Sequence, residues 1–252
     1  MLQLLTIPCL SDNYAYLLHD PASGETAVID VPEAAPILRA LADQGWKLTQ
    51  IWLTHHHGDH IDGVRELRTA TGARVFGAAA DAHRLPPLDV ALPEEGHLTL
   101  GGHPIHSFPV PGHTLGHIAF VAPGHAFTGD SLMSGGCGRL FEGTPAQMHA
   151  SLARLAALPP DTLICSGHEY TASNLRFAAT LEPDNPRLIS RIAEVANHRA
   201  EGRATVPVPL RTELETNPYL RAHLPALKTA VGLPDADDVA VFAEIRARKD
   251  TF

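Results

Sequence analysis

The heptapeptide THHHGDH, Thr54 to His60, constrains this chain more than any other stretch. Four histidines and an aspartate in one turn repel one another when the imidazoles are protonated, and they add little to an apolar core. Such a segment has to be built around something other than water. It follows QIWLT, an apolar run with the character of a buried strand, and it precedes IDGVRELRTATG, which has the pattern of a helix. Side chains two apart in extended backbone share a side, so His55 and His57 can meet one ligand while His56 points elsewhere. Asp59 and His60 lie past the bend and can reach a second ligand. Asp59 falls where the helix begins, a place where the helix dipole and unpaired amides favour a carboxylate.

Three more donors sit just past strand-like runs: His113 in PVPGHT, Asp130 in FTGDS and His168 in LICSGHEY. Seven donors at strand ends can converge on one rim. Neutral imidazole with carboxylate suits two divalent cations, zinc first, and the same donors accept iron or manganese. A carboxylate such as Asp130 can bridge two ions about 3.5–4 Å apart, and a hydroxide held between them is a nucleophile for a carbonyl or phosphoryl centre. Of the 16 histidines, His19, His83, His97, His103, His106, His125, His149, His198 and His223 read as structural or exposed. His56 and His117 lie next to donors and are expected to support them.

The pattern around these donors sets the architecture. LQLLTIP, YAYLLHD and ETAVID read as strands, with PASGE as a hairpin turn, and AAPILRALADQG reads as a helix ending at Gly45. ARVFG, HLTL, HPIHSFPV, HIAFVAP and HAFTGD form a second strand series. TPAQMHASLARLAALP follows as a helix with Pro145 near its start, and DTLICSGH is a last strand. Beyond His168 the chain reads as helices punctuated by Pro and Gly. The expectation is an α+β fold of two packed sheets with helices outside, a four-layer αββα sandwich over residues 1–168, then a helical domain over residues 169–252.

A chain of 252 residues with 44% hydrophobic side chains can bury a core of that kind. Its 19 Lys and Arg against 28 Asp and Glu leave a formal charge of −9, which argues against nucleic acid as a partner. Cys9, Cys137 and Cys165 are odd in number without CxxC spacing, so no disulfide framework is expected and a reducing compartment is. MLQLLTIPCL carries no basic residue before Arg39, which disfavours a signal peptide, and no apolar run reaches the roughly 20 residues of a bilayer span. A cytoplasmic monomer with no membrane partner is the expectation.

THHHGDH, GHTLGH, TGD and CSGHEY, in this order, resemble the metallo-β-lactamase superfamily, and within it the glyoxalase II branch of glutathione thioester hydrolases. The resemblance runs from SDNYAYLL to RARKDTF. It implies that His55, His57 and His113 hold one metal, that Asp59, His60 and His168 hold the other, and that Asp130 bridges both, with Asp59 and Asp130 serving catalysis through a metal-bridging hydroxide. GGCGRLFEGT resembles the loop that gives glutathione a basic residue and an aromatic, here Arg139 and Phe141, where tyrosine is often found in place of Phe141. Tyr170 matches a substrate-contacting tyrosine, and Arg246 with Lys249 matches the basic pair for the glycine carboxylate. Three residues apart on a helix, that pair shares a face, whereas Arg248 points away into solvent. Cys137 has no base beside it and reads as part of a tight Gly-Cys-Gly turn.

The substrate implied is a glutathione thioester such as S-D-lactoylglutathione, cleaved to glutathione and D-lactate in the second step of methylglyoxal detoxification. The nearest rival, a glutathione persulfide dioxygenase, uses one iron and needs no complete second site, so retention of Asp59, His60 and His168 speaks for the hydrolase. A flavodiiron reductase is expected to carry Glu where His57 stands, and a tRNA nuclease needs a basic surface that this charge does not offer. A β-lactamase or lactonase leaves the basic C-terminal helix unexplained.

Overall fold

The computed structural model covers Met1–Phe252. The chain forms two compact units, one of Met1–Pro109 with Gly116–Gly129 and one of Val110–Leu115 with Asp130–Phe252.

In the first unit, strands β1 (Gln3–Cys9), β2 (Asn13–His19) and β3 (Glu25–Ile29) form an antiparallel meander. Helix α1 (Ala34–Gln44) then crosses over to β4 (Lys47–Trp52), and the short helix α2 (Gly58–Ile61) and α3 (Val64–Thr71) lead to β5 (Arg74–Ala78) and β6 (Val90–Leu92). The sheet runs β1-β2-β3-β4-β5-β6, with β3 to β6 parallel, because each helical crossover returns the chain to the same end. Gly45 ends α1 in the left-handed conformation at φ 67°, as its position after the last apolar residue predicts. No alternation marks β6; three residues are too few to show a period.

The outer face of this sheet buries Ile7, Leu17, Val28, Ile51 and Val75 against Ala34, Ile37 and Leu41 of α1 and Val64 and Leu67 of α3. Its inner face meets a second, antiparallel set: β7 (Gly96–Leu100), β8 (His103–Pro109), β9 (Ile118–Ala122) and β10 (His125–Gly129). Trp52 stacks on Phe120 at 5.4 Å and Tyr16 tilts against Phe127 at 5.7 Å, so large rings fill the space between the sheets. Helix, sheet and sheet are thus layered as the alternating patterns require.

In the second unit, the hairpin β11 (Leu132–Met133) and β12 (Gly136–Cys137) precedes α4 (Pro145–Ala156), β13 (Leu163–Ser166), α5 (Thr171–Leu181) and α6 (Pro186–Ala200). Then come β14 (Val208–Pro209), α7 (Leu210–Thr216), α8 (Pro225–Ala230) and α9 (Asp238–Asp250). The start of α4 is fixed by Pro145 and by a reciprocal cap between Thr144 and Gln147. Leu175 and Ala178 of α5 pack on Leu188 and Val195 of α6. The stretch past His168 does contain one strand, β14, which pairs with β13 through Ile164 and Val208; two residues carry no readable pattern. The hairpin is clamped by buried side chains of α7 and its C-terminal end. Glu213 accepts hydrogen bonds from Ser134 Oγ and the Gly135 N–H, both at 2.8 Å, and Asn217 donates to the Met133 and Gly136 carbonyls. No helix is long and apolar enough to cross a membrane.

Candidate metal centre

Past β4 the backbone bends at Thr54, is extended at His57 and then turns into α2, so the first unit presents four of the expected donors together. His55 and His60 are fully buried, while the Asp59 side chain is 42% exposed. Their orientation comes from residues that the motif does not contain. Asp30 closes β3 at φ 57°, a left-handed conformation that aspartate tolerates better than most residues. Its Oδ2 lies 2.8 Å from His60 Nδ1 and accepts the Thr54 hydroxyl at 2.8 Å, while its Oδ1 accepts the Thr54 N–H. With its only proton committed to Asp30, Thr54 Oγ1 can act only as acceptor toward His55 Nδ1 at 3.0 Å. Both imidazoles therefore carry their proton on Nδ1 and present the Nε2 lone pair. Asp59 lies in the first turn of α2, as expected, and Asn13 Nδ2 in addition donates to its Oδ2 and to its main-chain oxygen, each at 3.0 Å.

His55 Nε2 is 3.1 Å from His57 Nδ1. Two ligands of one tetrahedral zinc ion, each about 2.0–2.1 Å from it, are separated by about 3.3 Å, so the pair has the spacing of an edge of a coordination shell. Asp30, His55 and His60 form a further close group of donor atoms. His56 points away, as expected, to Asp81 at 2.9 Å, and His117 stacks on the His55 ring at 4.7 Å. Gly129 stands where a side chain would press on Thr54 Oγ1, 2.6 Å from its Cβ position, so only glycine leaves that hydroxyl its geometry.

The second unit brings His113, Asp130 and His168 together, all buried. Asp130 Oδ2 is 3.4 Å from His113 Nε2 and 3.3 Å from His168 Nε2. His113 Nδ1 donates to the Arg139 carbonyl at 2.8 Å, which leaves Nε2 as an acceptor facing another acceptor. A single carboxylate oxygen within ligand-edge distance of two imidazoles is the arrangement expected of a bridging carboxylate. In both units the donors present fit divalent cations by chemistry and spacing. The expected Gly-Cys-Gly turn is not formed: Gly136 and Cys137 are paired in β12, the turn lies at Ser134 and Gly135, and a Cβ at Gly138 just beyond would overlap the Asp130 carbonyl oxygen. Cys137 is buried and burial pushes its thiol up to about 11, so it is no nucleophile.

Two of the expected substrate groups touch this second set. The Phe141 ring meets His113 edge-on at 5.2 Å and the Tyr170 ring stacks on His168 at 4.6 Å, both rings exposed. Arg246 is buried, donates to the Cys137 carbonyl at 3.0 Å and lies over the Tyr219 ring. Lys249 Nζ sits over Phe177 and Phe252 and reaches Ser173 Oγ at 3.3 Å; burial, Arg246 and Arg176 lower its pKa. Arg139 projects from the β12 end, its side chain 56% exposed, and pairs with Asp250. Arg248 is not simply solvated: it donates to the Val231 carbonyl at 2.6 Å and to Glu244 at 2.8 Å, capping the C-terminal end of α8.

Asp30, Asn13 and Asp250 do not stand out in the linear sequence. The one available signal was the charge closing the buried run ETAVID, since an acid at the end of a buried strand needs a partner.

The chain matches the family model of the metallo-β-lactamase superfamily over residues 12–168 and that of the hydroxyacylglutathione hydrolase C-terminus over residues 169–252. A hydroxyacylglutathione hydrolase of Fuscovulum blasticum is 66% identical over 253 residues, covering 100% of this chain and 99% of the relative. Among solved structures, the BLEG-1 B3 metallo-β-lactamase shares the fold, with a TM-score of 0.67 at 22% identity over 86% of this chain and 99% of that one. The structure of TTHA1623 in a di-iron-bound form aligns with a TM-score of 0.55 at 30% identity, over 66% of this chain and 91% of that one. The expected metallo-β-lactamase fold with a helical C-terminal part is therefore met. The chain belongs to the hydroxyacylglutathione hydrolase family of the metallo-β-lactamase superfamily.

Proposed function

We propose that this chain is a thioester hydrolase that converts S-(2-hydroxyacyl)glutathiones, such as S-D-lactoylglutathione, to glutathione and a 2-hydroxy acid. Family membership supports the reaction, and relatives at this level of identity carry the hydrolase name rather than that of a dioxygenase. The observation that carries the chemistry is the Asp130 Oδ2 atom set between His113 Nε2 and His168 Nε2 at 3.4 and 3.3 Å.

In this reading His55, His57 and His113 hold one divalent cation, Asp59, His60 and His168 hold a second, and Asp130 serves both. Zinc suits the donors best, and iron or manganese fits the same set. Such a pair, when bound, supplies Lewis acidity toward the thioester carbonyl and a water acidic enough to ionise near neutral pH. Asp30, Thr54 and the Arg139 carbonyl keep the Nδ1 protons of His60, His55 and His113 in place, so each ring offers Nε2 without rearrangement. Asn13 holds Asp59. Arg246 and Lys249 receive the glycine carboxylate, Arg139 adds a third positive charge, and the Phe141 and Tyr170 rings flank the tail. The leaving thiol has a pKa of about 8.5, so the thiolate departs without a general acid, consistent with the buried, protonated Cys137 taking no part. Residues 1–168 then supply the chemistry together with Arg139 and Phe141 for the tail, and residues 169–252 supply the rest of the grip on substrate, in a cytoplasmic monomer that uses neither nucleic acid nor membrane.

The test is release of free thiol from S-D-lactoylglutathione by the zinc-loaded protein. Turnover should vanish on chelation and return with added metal. No thiol release by fully metallated protein would reject the reading.

A further inference from the structure

Resting on that reading, we infer that Asp250 is a positioning residue for substrate: its carboxylate ties the Arg139 and Arg246 guanidiniums into one rigid receptor for the peptide tail. Asp250 Oδ1 accepts from Arg246 Nη2 at 2.9 Å and from Arg139 Nε at 3.2 Å, and the Asp250 main-chain oxygen is 3.5 Å from Arg139 Nη2. One oxygen thus joins two cations that lie 107 positions apart in sequence, counted from 139 to 246.

The two arginines differ in how much they need it. Arg246 is 8% exposed and is anchored besides by the Cys137 carbonyl and the Tyr219 ring. Arg139 is anchored at its backbone, where its carbonyl holds His113, but both hydrogen bonds of its guanidinium go to Asp250. Without that partner the half-exposed side chain regains its rotamers, and binding must order it again. The carboxylate also offsets repulsion among Arg139, Arg246 and Lys249, a crowding already felt at Lys249, whose ammonium Arg246 and Arg176 disfavour after burial. A simple charge count gives the opposite expectation, since removing an acid beside an anion site should strengthen anion binding. The geometry favours order over charge, because the same oxygen that lowers the net charge holds both donors.

The experiment compares wild type, Asp250→Asn and Asp250→Glu as metal-loaded enzymes, with metal content measured for each. Two substrates are used: S-D-lactoylglutathione, and the lactoyl thioester of N-acetylcysteamine, which has the reacting group but no peptide carboxylates. For Asp250→Asn the KM for lactoylglutathione should rise about five- to twentyfold with kcat within about twofold, from reordering one or two long side chains. The tail-less thioester should show unchanged kcat/KM, and Asp250→Glu should recover part of the loss. An unchanged or lowered KM overturns the inference, as does an equal loss on both thioesters or a loss of metal. Failure of the wild type itself to hydrolyse lactoylglutathione would instead sink the functional reading and this inference with it.

Discussion

Asp30 Oδ2 lies 2.8 Å from His60 Nδ1 and 2.8 Å from Thr54 Oγ1, so one oxygen sets the protonation pattern of two histidines. Asp30→Asn keeps the left-handed backbone, because asparagine tolerates that conformation as well. Its amide replaces an acceptor with a donor on one side, and the His60 proton is no longer held on Nδ1. We expect metal affinity to fall about 10–100-fold, with kcat falling as occupancy is lost. Metal content after dialysis against a competing chelator measures this; full retention of two ions per chain would show that Asp30 only fills space.

Binding of cations to the native state alone should stabilise the fold. At a free metal concentration about 100 times Kd the gain is about 2.7 kcal/mol, and for a chain of this size that corresponds to about 5–10 °C in Tm. Chelated protein should melt lower by that amount, and zinc should restore it. A melting curve indifferent to chelator would contradict cation binding by either donor set.

Glu213 offers a pH signature separate from the metal donors. Burial raises its carboxyl pKa above the ordinary 4.5, although hydrogen bonds from Gly135, Asn217 and Ser134 pull the other way. The folded state then keeps a proton that the unfolded chain has already lost, so this group's contribution to stability falls as pH rises from about 4.5 through the folded-state pKa. Glu213→Gln should flatten that part of the Tm–pH curve, since a neutral amide keeps most of the contacts. Glu213→Ala strands the Gly135 N–H and Ser134 Oγ and should cost about 3 kcal/mol. Thermal melts from acid to neutral pH distinguish these cases; parallel curves for wild type and Glu213→Gln would remove the carboxyl from the explanation.

Phe141 is 62% exposed with its ring against His113. A tyrosine there adds a hydroxyl at the substrate side without disturbing a core. Phe141→Tyr should lower the KM for lactoylglutathione about two- to tenfold, the worth of one hydrogen bond, and leave kcat and Tm nearly unchanged. Steady-state kinetics decide it, and a KM that does not move would mean that the phenol finds no partner on the tail.

Much of the centre was legible because its information is local. His55, His57 and His60 follow one strand within six residues, and strand and turn periodicity alone separate His56 from them. His113, Asp130 and His168 each sit where an apolar run stops. The sheets and the α1 and α4 helices announce themselves by alternation, by Gly45 and by Pro145, whereas the Thr144–Gln147 cap came from the structure. What could not be read is what acts over distance. Asp30 is 30 residues from His60, Asn13 is 46 from Asp59, Glu213 is 78 from Gly135 and Asp250 is 111 from Arg139. Arg248 was misread for the same reason, since its partner carbonyl belongs to a different helix.

Residue order alone determined which atoms are on offer: seven imidazole and carboxylate donors at strand ends, and a basic face on the last helix. Only the tertiary structure decided which nitrogen of His55, His60 and His113 keeps its proton and which is left as an acceptor. That choice is made by the hydrogen-bond partner on the far side of each ring. For His55 the deciding acceptor is the Thr54 hydroxyl, whose own proton is taken by Asp30, for His60 it is Asp30 itself, and for His113 it is the Arg139 carbonyl, so folding had to bring these oxygens to the rings.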